Sequence, residues 1–421
     1  MSRLGLFQGF GVELEYMVVD AETLSVLPVV DRVLESVAGT IVSEVDMGPL
    51  AWSNELVLHV VELKTNGPSP TLRGLDASFQ RDVQKINEIL EEMGGTLLPT
   101  AMHPWMDPRI ETTLWPHEYS PVYQSYDRIF GCQGHGWSNL QSTHLNLPFA
   151  GDEEFGRLHA AIRLLLPLLP ALAASSPLVE GRPTGLLDNR MEFYRHNSRR
   201  IPSVAGKVIP EPVFRQELYE REVLGRMYAD VSPLDPEGVL QDEFLNSRGA
   251  IPRFGRGSIE IRVIDVQEAP VADLALVALT VGALRLLTEE RLSPLALQQA
   301  IGVPELASVF LDCIREGERA VVGGGAYLRA LGMRTAKASA EEIWWHLFEE
   351  TADAGFLPHE GQEDGVRTLL RRGPLARQIL KALELSKAQL QDPFPAPSRK
   401  TLVELYRSLA ACLRDGVIFL A

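Results

Sequence analysis

Gly11-Val12-Glu13-Leu14-Glu15-Tyr16-Met17-Val18-Val19 is the stretch on which the fold turns. Val12, Leu14 and Tyr16 alternate with Glu13 and Glu15, which is the period of a β-strand with one apolar face. Strand residues i and i+2 point to the same side, so Glu13 and Glu15 stand together on the other face. Two like charges held side by side are costly unless something positive lies between them. A divalent cation such as Mg²⁺ meets that need, because hard cations take oxygen ligands.

Three further apolar runs repeat the pattern. In Asn54-Glu55-Leu56-Val57-Leu58-His59-Val60-Val61-Glu62-Leu63-Lys64-Thr65, read as a strand over Leu56–Lys64, Glu62 and Lys64 share a face. In the strand Ser142–Phe149, His144 and Asn146 share a face, with Leu145 and Leu147 opposite. In the strand Ser258–Val266, Glu260 and Arg262 do the same. One such strand is most often the solvated face of an antiparallel sheet. All of them together, with polar faces of Glu, His, Asn and Arg, read as one site, because these groups bind metal and phosphate. Glu55 precedes Glu62 by an odd number of residues, so the two meet only if a bulge or turn intervenes. His59 has the parity of Glu55 and reads as structural.

Asp188–Arg200 contains Arg190, Arg195, Arg199 and Arg200, with Lys207 nearby. The guanidinium fork suits carboxylate or phosphate, so at least one anion-binding arginine is expected here. The commoner fate of such a charge run is a solvated loop. Gly323-Gly324-Gly325 lacks the Lys-Ser/Thr of a phosphate loop. Gly134-His135-Gly136 reads as a turn, and Trp344-Trp345 as core or subunit contact. No Ser-His-Asp or Cys-His constellation is legible.

The chain has 421 residues and a formal charge of −16. That balance argues against broad nucleic-acid or anionic-membrane binding and leaves room for a local basic pocket. The first residues lack the apolar core of a signal peptide. The apolar stretches Leu164–Ala174, broken by Pro167 and Pro170, and Leu274–Leu287, interrupted by Arg285, are short for a bilayer and read as buried helices. Cys132, Cys313 and Cys412 form no disulfide or zinc pattern and fit a reducing cytoplasm. Helices are expected over Leu75–Met93, ending at Gly94-Gly95, over Asp152–Ala174, after the capping box Ser339–Glu342, and over Thr401–Leu413 behind a Pro-rich connector, Gln391–Ser398. Ser175–Pro212 reads as irregular. A mixed α/β part up to about residue 290 precedes a helical part, 291–421.

Together these motifs resemble the glutamate–cysteine ligase family, in its bacterial carboxylate–amine ligase type. Gly11-Val12-Glu13-Leu14-Glu15 looks like the family's Gly-x-Glu-x-Glu strand, and Glu62-Leu63-Lys64-Thr65 like its Glu-apolar-x-Thr strand end. His144-Leu145-Asn146 resembles its His-x-Asn or His-x-His strand. Ser175-Ser176-Pro177, Gly181, Thr184-Gly185 and Arg190 resemble its Ser-Ser-Pro…Gly…Thr-Gly…Arg segment. Glu260-Ile261-Arg262, followed by Asp265, resembles its Glu-x-Arg strand. Order and rough spacing agree over residues 9–290. There are departures: Asn146 and Pro148 stand where many members have His-x-His-x-Gly, and Leu186 replaces an aromatic residue. They bear on substrate identity more than on reaction type.

The resemblance implies an α+β, glutamine-synthetase-like fold. Residues 1–290 would form a catalytic domain built on a curved, mainly antiparallel sheet with outer helices, and 291–421 a helical C-terminal region. It implies an ATP-dependent ligase with a place in glutathione biosynthesis. The γ-carboxylate of glutamate, or a similar acid, would attack the γ-phosphorus of ATP, and an amine, with cysteine leading, would displace phosphate from the acyl phosphate. ATP and Mg²⁺ are the implied cofactors. Glu13, Glu15, Glu55, Glu62 and Glu260 are the expected metal ligands, with Glu55 the weaker candidate. His144 and Arg262 are the expected catalytic residues, and Asn146, Arg190 and Arg262 the expected contacts to nucleotide or anionic groups. The partners are small molecules, with no nucleic acid and no membrane; a homo-oligomer is left open. The alternatives are a guanidino-kinase-like phosphotransferase, a metal-dependent hydrolase and a non-catalytic descendant.

Overall fold

The computed structural model describes residues 3–357, 360–384 and 396–421. Most of the expected Pro-rich connector, Gln391–Ser398, lies outside them. Gly11–Asp20 (β1) forms the strand its alternation predicts, at the middle of an eight-stranded sheet. On one side follow Val60–Thr65 (β4), Leu50–Asn54 (β3) and Glu44–Asp46 (β2). On the other follow Ser142–Pro148 (β6), Ser258–Asp265 (β10) and Ala250–Arg253 (β9). Gly95–Leu98 (β5) pairs with the second half of β1, and all pairings in this sheet are antiparallel. Two small hairpins stand apart: Leu178–Val179 (β7) with Arg182–Pro183 (β8), and Val321–Gly323 (β11) with Lys337–Ser339 (β12).

The apolar face of β1 is the root of the core. Val12, Leu14, Tyr16 and Val18 are fully buried, in one cluster with Phe79, Val83 and Ile86 of the Leu75–Glu91 helix and with the Pro270–Thr288 helix. Each such side chain contributes roughly 1.5–3 kcal/mol by leaving water. Helices beyond residue 290 join the same cluster through Trp344, Leu347 and Phe348. Behind β6, Thr143 Oγ1 donates to Asp273 Oδ1 of the Pro270–Thr288 helix at 2.6 Å. The capping box forms as read, with Ser339 opening Ala340–Asp353. Trp344 belongs to the core, its Nε1 donating to the Leu168 carbonyl at 3.0 Å.

Three local readings need correction. Residues 54–65 are not one strand: β3 ends at Asn54 and the chain turns before β4 begins at Val60. The turn is tied sideways, Leu58 N to the Thr113 carbonyl at 2.8 Å and Trp115 N to the Leu56 carbonyl at 3.0 Å. Its consecutive apolar residues look like a buried strand in sequence. The helix expected over Asp152–Ala174 forms: it begins at Gly151, runs to Leu165 and continues through a 3-10 turn, Leu166–Leu168, into Leu169–Ala173. This stretch and Pro270–Thr288 have the length and apolarity to cross a membrane, and their most apolar windows are 94% and 89% buried inside the protein. Secondly, the irregular segment contains a helix, Asn189–Asn197, capped by the Asp188 carboxylate on Met191 N at 2.8 Å. Its apolar residues, Met191, Phe193 and Tyr194, are few and gather into no stripe, so none announces it. Finally, β10 carries a bulge. It pairs with β6 as far as Ile261–Leu145 and resumes at Ile264–Thr143, so Arg262 and Val263 together oppose His144.

Candidate active site

Residues directly opposed across an antiparallel ladder share a face. Glu13 opposes Lys64 on β4 and His144 on β6, Glu15 opposes Glu62, and Asn146 opposes both Gly11 and Glu260. Register alone therefore gathers Glu13, Glu15, Glu62, His144, Asn146 and Glu260 on one side of the sheet, away from the core.

His144 is the hub. Its Nδ1 lies 2.8 Å from Glu13 Oε2, and its Nε2 lies 2.9 Å from Ser142 Oγ, which donates to Glu15 Oε2 at 2.7 Å. The Ser142 amide reaches the same Glu15 oxygen at 2.6 Å, and Asn146 Nδ2 donates to Glu13 Oε1 at 2.9 Å. Burial works against a charged imidazole, yet the Glu15 charge and the bond and charge of Glu13 hold His144 up at about 9. Burial likewise raises the Glu13 carboxyl, but the His144 bond and charge, aided by Lys64, pull it down to about 2. With both ring nitrogens protonated, His144 donates to Glu13 and to Ser142.

Two groups of ligand atoms, each within 4.8 Å of one another, share Glu62: Glu13, Glu62 and His144, and Glu15, Glu55 and Glu62. Glu55 reaches them because the turn after β3 reverses its parity. Burial, then the Glu15 and Glu62 charges, push Glu55 well above the usual carboxyl range. Burial, then the Glu13 charge, push Glu62 up to about 7. Carboxylates crowded in this way fit a hard divalent cation. Lys64 supplies some of the compensation, its Nζ 3.1 Å from Glu62 Oε2 and 2.8 Å from Glu44 Oε2.

The opposite rim is cationic. Arg262 donates to Glu260 Oε1 through Nε at 3.2 Å and Nη2 at 2.8 Å, and Arg253 Nε lies 3.8 Å from Glu260 Oε2. Glu260 thus reaches the site but belongs to neither metal-type group. Arg3, Arg253, Arg256, Gly255 and Gly257 complete a cleft of about 880 Å³ that also contains Glu13, Glu55, Glu62, His144, Asn146 and Arg262. That volume suits a nucleotide-sized ligand. Sequence reading missed the extra arginines. The available signal was Arg253-Phe254-Gly255-Arg256-Gly257, a glycine-rich turn leading into a ligand-bearing strand.

Arg190 is not brought to this cleft. It is buried, with Nε 2.5 Å from Asp265 Oδ1 and Nη1 donating to the Arg262 carbonyl at 3.2 Å, which replaces the expected contact to an anionic substrate group. Arg195 pairs with Glu192 and Arg200 donates to the Ile129 carbonyl, so these two arginines serve the frame. His59 is structural: it is buried, donates Nε2 to the Ser138 carbonyl at 2.8 Å, and is held by burial down at about 4.

Fold and site define an α+β, glutamine-synthetase-like protein with a carboxylate-lined, arginine-rimmed cleft on its sheet. The family model for glutamate-cysteine ligase family 2 matches residues 9–312, and the chain belongs to that family. It is 37% identical over 281 residues to an uncharacterized protein of Archaeoglobus fulgidus, covering 66% of this chain and 75% of that one. It is 27% identical over 277 residues to the Rubrobacter xylanophilus protein named "Putative glutamate--cysteine ligase 2-3", covering 64% and 67%. A Streptomyces avermitilis protein named "Putative glutamate--cysteine ligase 2-1" is 27% identical over 400 residues, 93% of this chain and 98% of that one. Among solved structures, glutamate–cysteine ligase of Francisella tularensis in complex with AMP superposes with a TM-score of 0.59 at 13% identity, over 98% of this chain and 90% of that one. A bifunctional glutathione synthetase of Pasteurella multocida gives 0.53 at 14% identity, over 96% of this chain and 52% of that one. At these identities the likeness is one of fold.

Proposed function

We propose that the protein is an ATP-dependent carboxylate–amine ligase that activates glutamate or a similar acid as an acyl phosphate and joins it to an amine, with cysteine the leading candidate. One observation carries this reading: two carboxylate groups sharing Glu62 face an arginine rim across a nucleotide-sized cleft. Phosphoryl transfer needs positioning and charge neutralisation more than a protein nucleophile, and that is what these residues offer. The family match and the AMP complex of the Francisella tularensis relative support ATP as the phosphoryl donor.

Arg262, fixed by Glu260, would neutralise charge developing on the transferred group. Asn146 and His144 hold Glu13 in place. The donor set fits Mg²⁺: the carboxylates of Glu13 and Glu62, and of Glu15, Glu55 and Glu62, would hold the ions, with protonated His144 fixing Glu13 beside them; when bound the ions neutralise phosphate charge. The catalytic unit is assigned to residues 1–290, with 291–421 as helical support. The chain's three cysteines are free, which supports a reducing cytoplasm as its setting.

The test is turnover of ATP by the purified protein with Mg²⁺, glutamate and a panel of amines including cysteine, with mass detection of products. Phosphate release coupled to a γ-glutamyl amide is the expected result, abolished by chelation. Turnover without ATP, or ADP with a phosphorylated amine, would replace the ligase reading by hydrolysis or phosphotransfer.

A further inference from the structure

We propose that Arg190 is a positioning residue for Arg262, holding the β10 bulge that aims it into the cleft. The proposal rests on the ligase reading only for its kinetic test. A bulge leaves backbone groups outside the ladder, and a buried carbonyl without a partner is costly. At this bulge the Arg262 amide donates to the Gly249 carbonyl at 3.0 Å, and the Arg262 carbonyl accepts from Arg190 Nη1 at 3.2 Å. The same guanidinium binds Asp265, just beyond the bulge, through Nε at 2.5 Å. Asp265 opposes Ser142, whose hydroxyl carries Glu15. One planar group therefore spans the irregularity, from the backbone of Arg262 to the strand position next to Glu15.

Asp265 is itself braced. Its Oδ2 accepts from Ser175 N at 2.8 Å and Ser176 Oγ at 3.1 Å, while the Arg190 amide donates to Ser176 Oγ at 3.1 Å. The Ser175-Ser176 pair and Arg190 thus converge on one carboxylate behind the cleft instead of on a ligand in it. The side chains of Arg190 and Asp265 are 1% and 0% exposed. A buried ion pair is weak evidence of a stabilising role, since apolar residues of similar shape often serve as well. No apolar residue could supply the second arm to the Arg262 carbonyl, and lysine, whose donors all radiate from one nitrogen, does not reproduce the spacing of Nε and Nη1.

The experiment compares wild type, Arg190→Lys, Arg190→Met and the double variant Arg190→Met/Asp265→Asn. It measures the urea midpoint, kcat, KM for ATP, and amide hydrogen exchange over residues 258–265. Arg190→Met alone strands the Asp265 charge and is expected to be strongly destabilised. The double variant is expected to regain the midpoint while kcat stays down about 100-fold, the scale of a misplacement of about 1 Å. KM for ATP should stay within about threefold, since an interaction made in the transition state is read in kcat. Arg190→Lys is expected to fold and to show the same kcat loss. Faster exchange over 258–265 should accompany both. Recovery of stability and kcat together in the double variant, or full kcat in Arg190→Lys, overturns the proposal. If wild type turns over no acid and amine pair, the ligase reading fails by itself, and wild-type exchange over 258–265 in the variants would still overturn the positioning role.

Discussion

Asn146 lies directly across from Gly11, and a Cβ on Gly11 would come within 2.9 Å of the Asn146 Cβ. The missing side chain at Gly11 is the space in which Asn146 sits to reach Glu13. The atom in the way is fixed to the β6 backbone and cannot rotate aside. Gly11→Ala should therefore leave the protein folded and lower kcat/KM by about tenfold, the cost of losing one held contact. Steady-state kinetics beside an unchanged circular dichroism spectrum would check it.

Glu13 meets His144, Asn146 and one metal-type group at once. Glu13→Gln keeps the shape and removes the charge, and should lower kcat by about 100-fold or more. Thermal unfolding should show the variant folded. A fully active Glu13→Gln would remove the metal assignment.

Acid should destabilise the fold through buried neutral histidines that do not line the cleft. His103 donates Nε2 to the Leu24 carbonyl at 2.7 Å, and burial holds it down at about 3; His59 is held at about 4. A depressed folded value means the unfolded chain binds more protons. The contribution is complete above the unfolded value of about 6.5 and is lost as pH falls toward the folded values. At pH 5 the loss is about 2 kcal/mol for each residue. Urea midpoints between pH 7.5 and pH 4.5 would measure it, and His103→Gln should flatten the dependence.

Gly282 marks where the Pro270–Thr288 and Ala340–Asp353 helices come closest. A Cβ there would lie 2.1 Å from Thr351 Cγ2, so Gly282→Ala requires the Thr351 side chain to turn or the helices to part. The expected cost is about 1–3 kcal/mol, read as a lower urea midpoint. Activity per folded molecule should stay the same, since neither residue touches the cleft.

How much of this the sequence disclosed depended on whether strand period was enough to settle position. For Glu13, Glu15, Glu62, His144, Asn146, Glu260 and Arg262 it was, because a period of two fixes the face and the core fixes which face is wet. Glu55 needed a turn that three consecutive apolar residues concealed. Arg190 has the residue type of an anion ligand, and only burial beside Asp265 reveals its other use. Arg3 and Arg256 carry no periodic signal and enter the cleft through chain reversal. The Asn189–Asn197 helix lacks an apolar stripe and is specified by its Asp188 cap and its contacts.

Thr143 and His144 are neighbours that face opposite ways, and Thr143 is the one gripped from behind, by Asp273. Were β6 to slide one place along its partners, the threonine would enter the cleft and the imidazole would be driven into the leucine-rich interior. Asp273, buried and robbed of its hydroxyl, would then count against the slipped arrangement. The contact acts as a detent. A strand that docks in the wrong notch during folding is penalised at once, before any ligand arrives to test it.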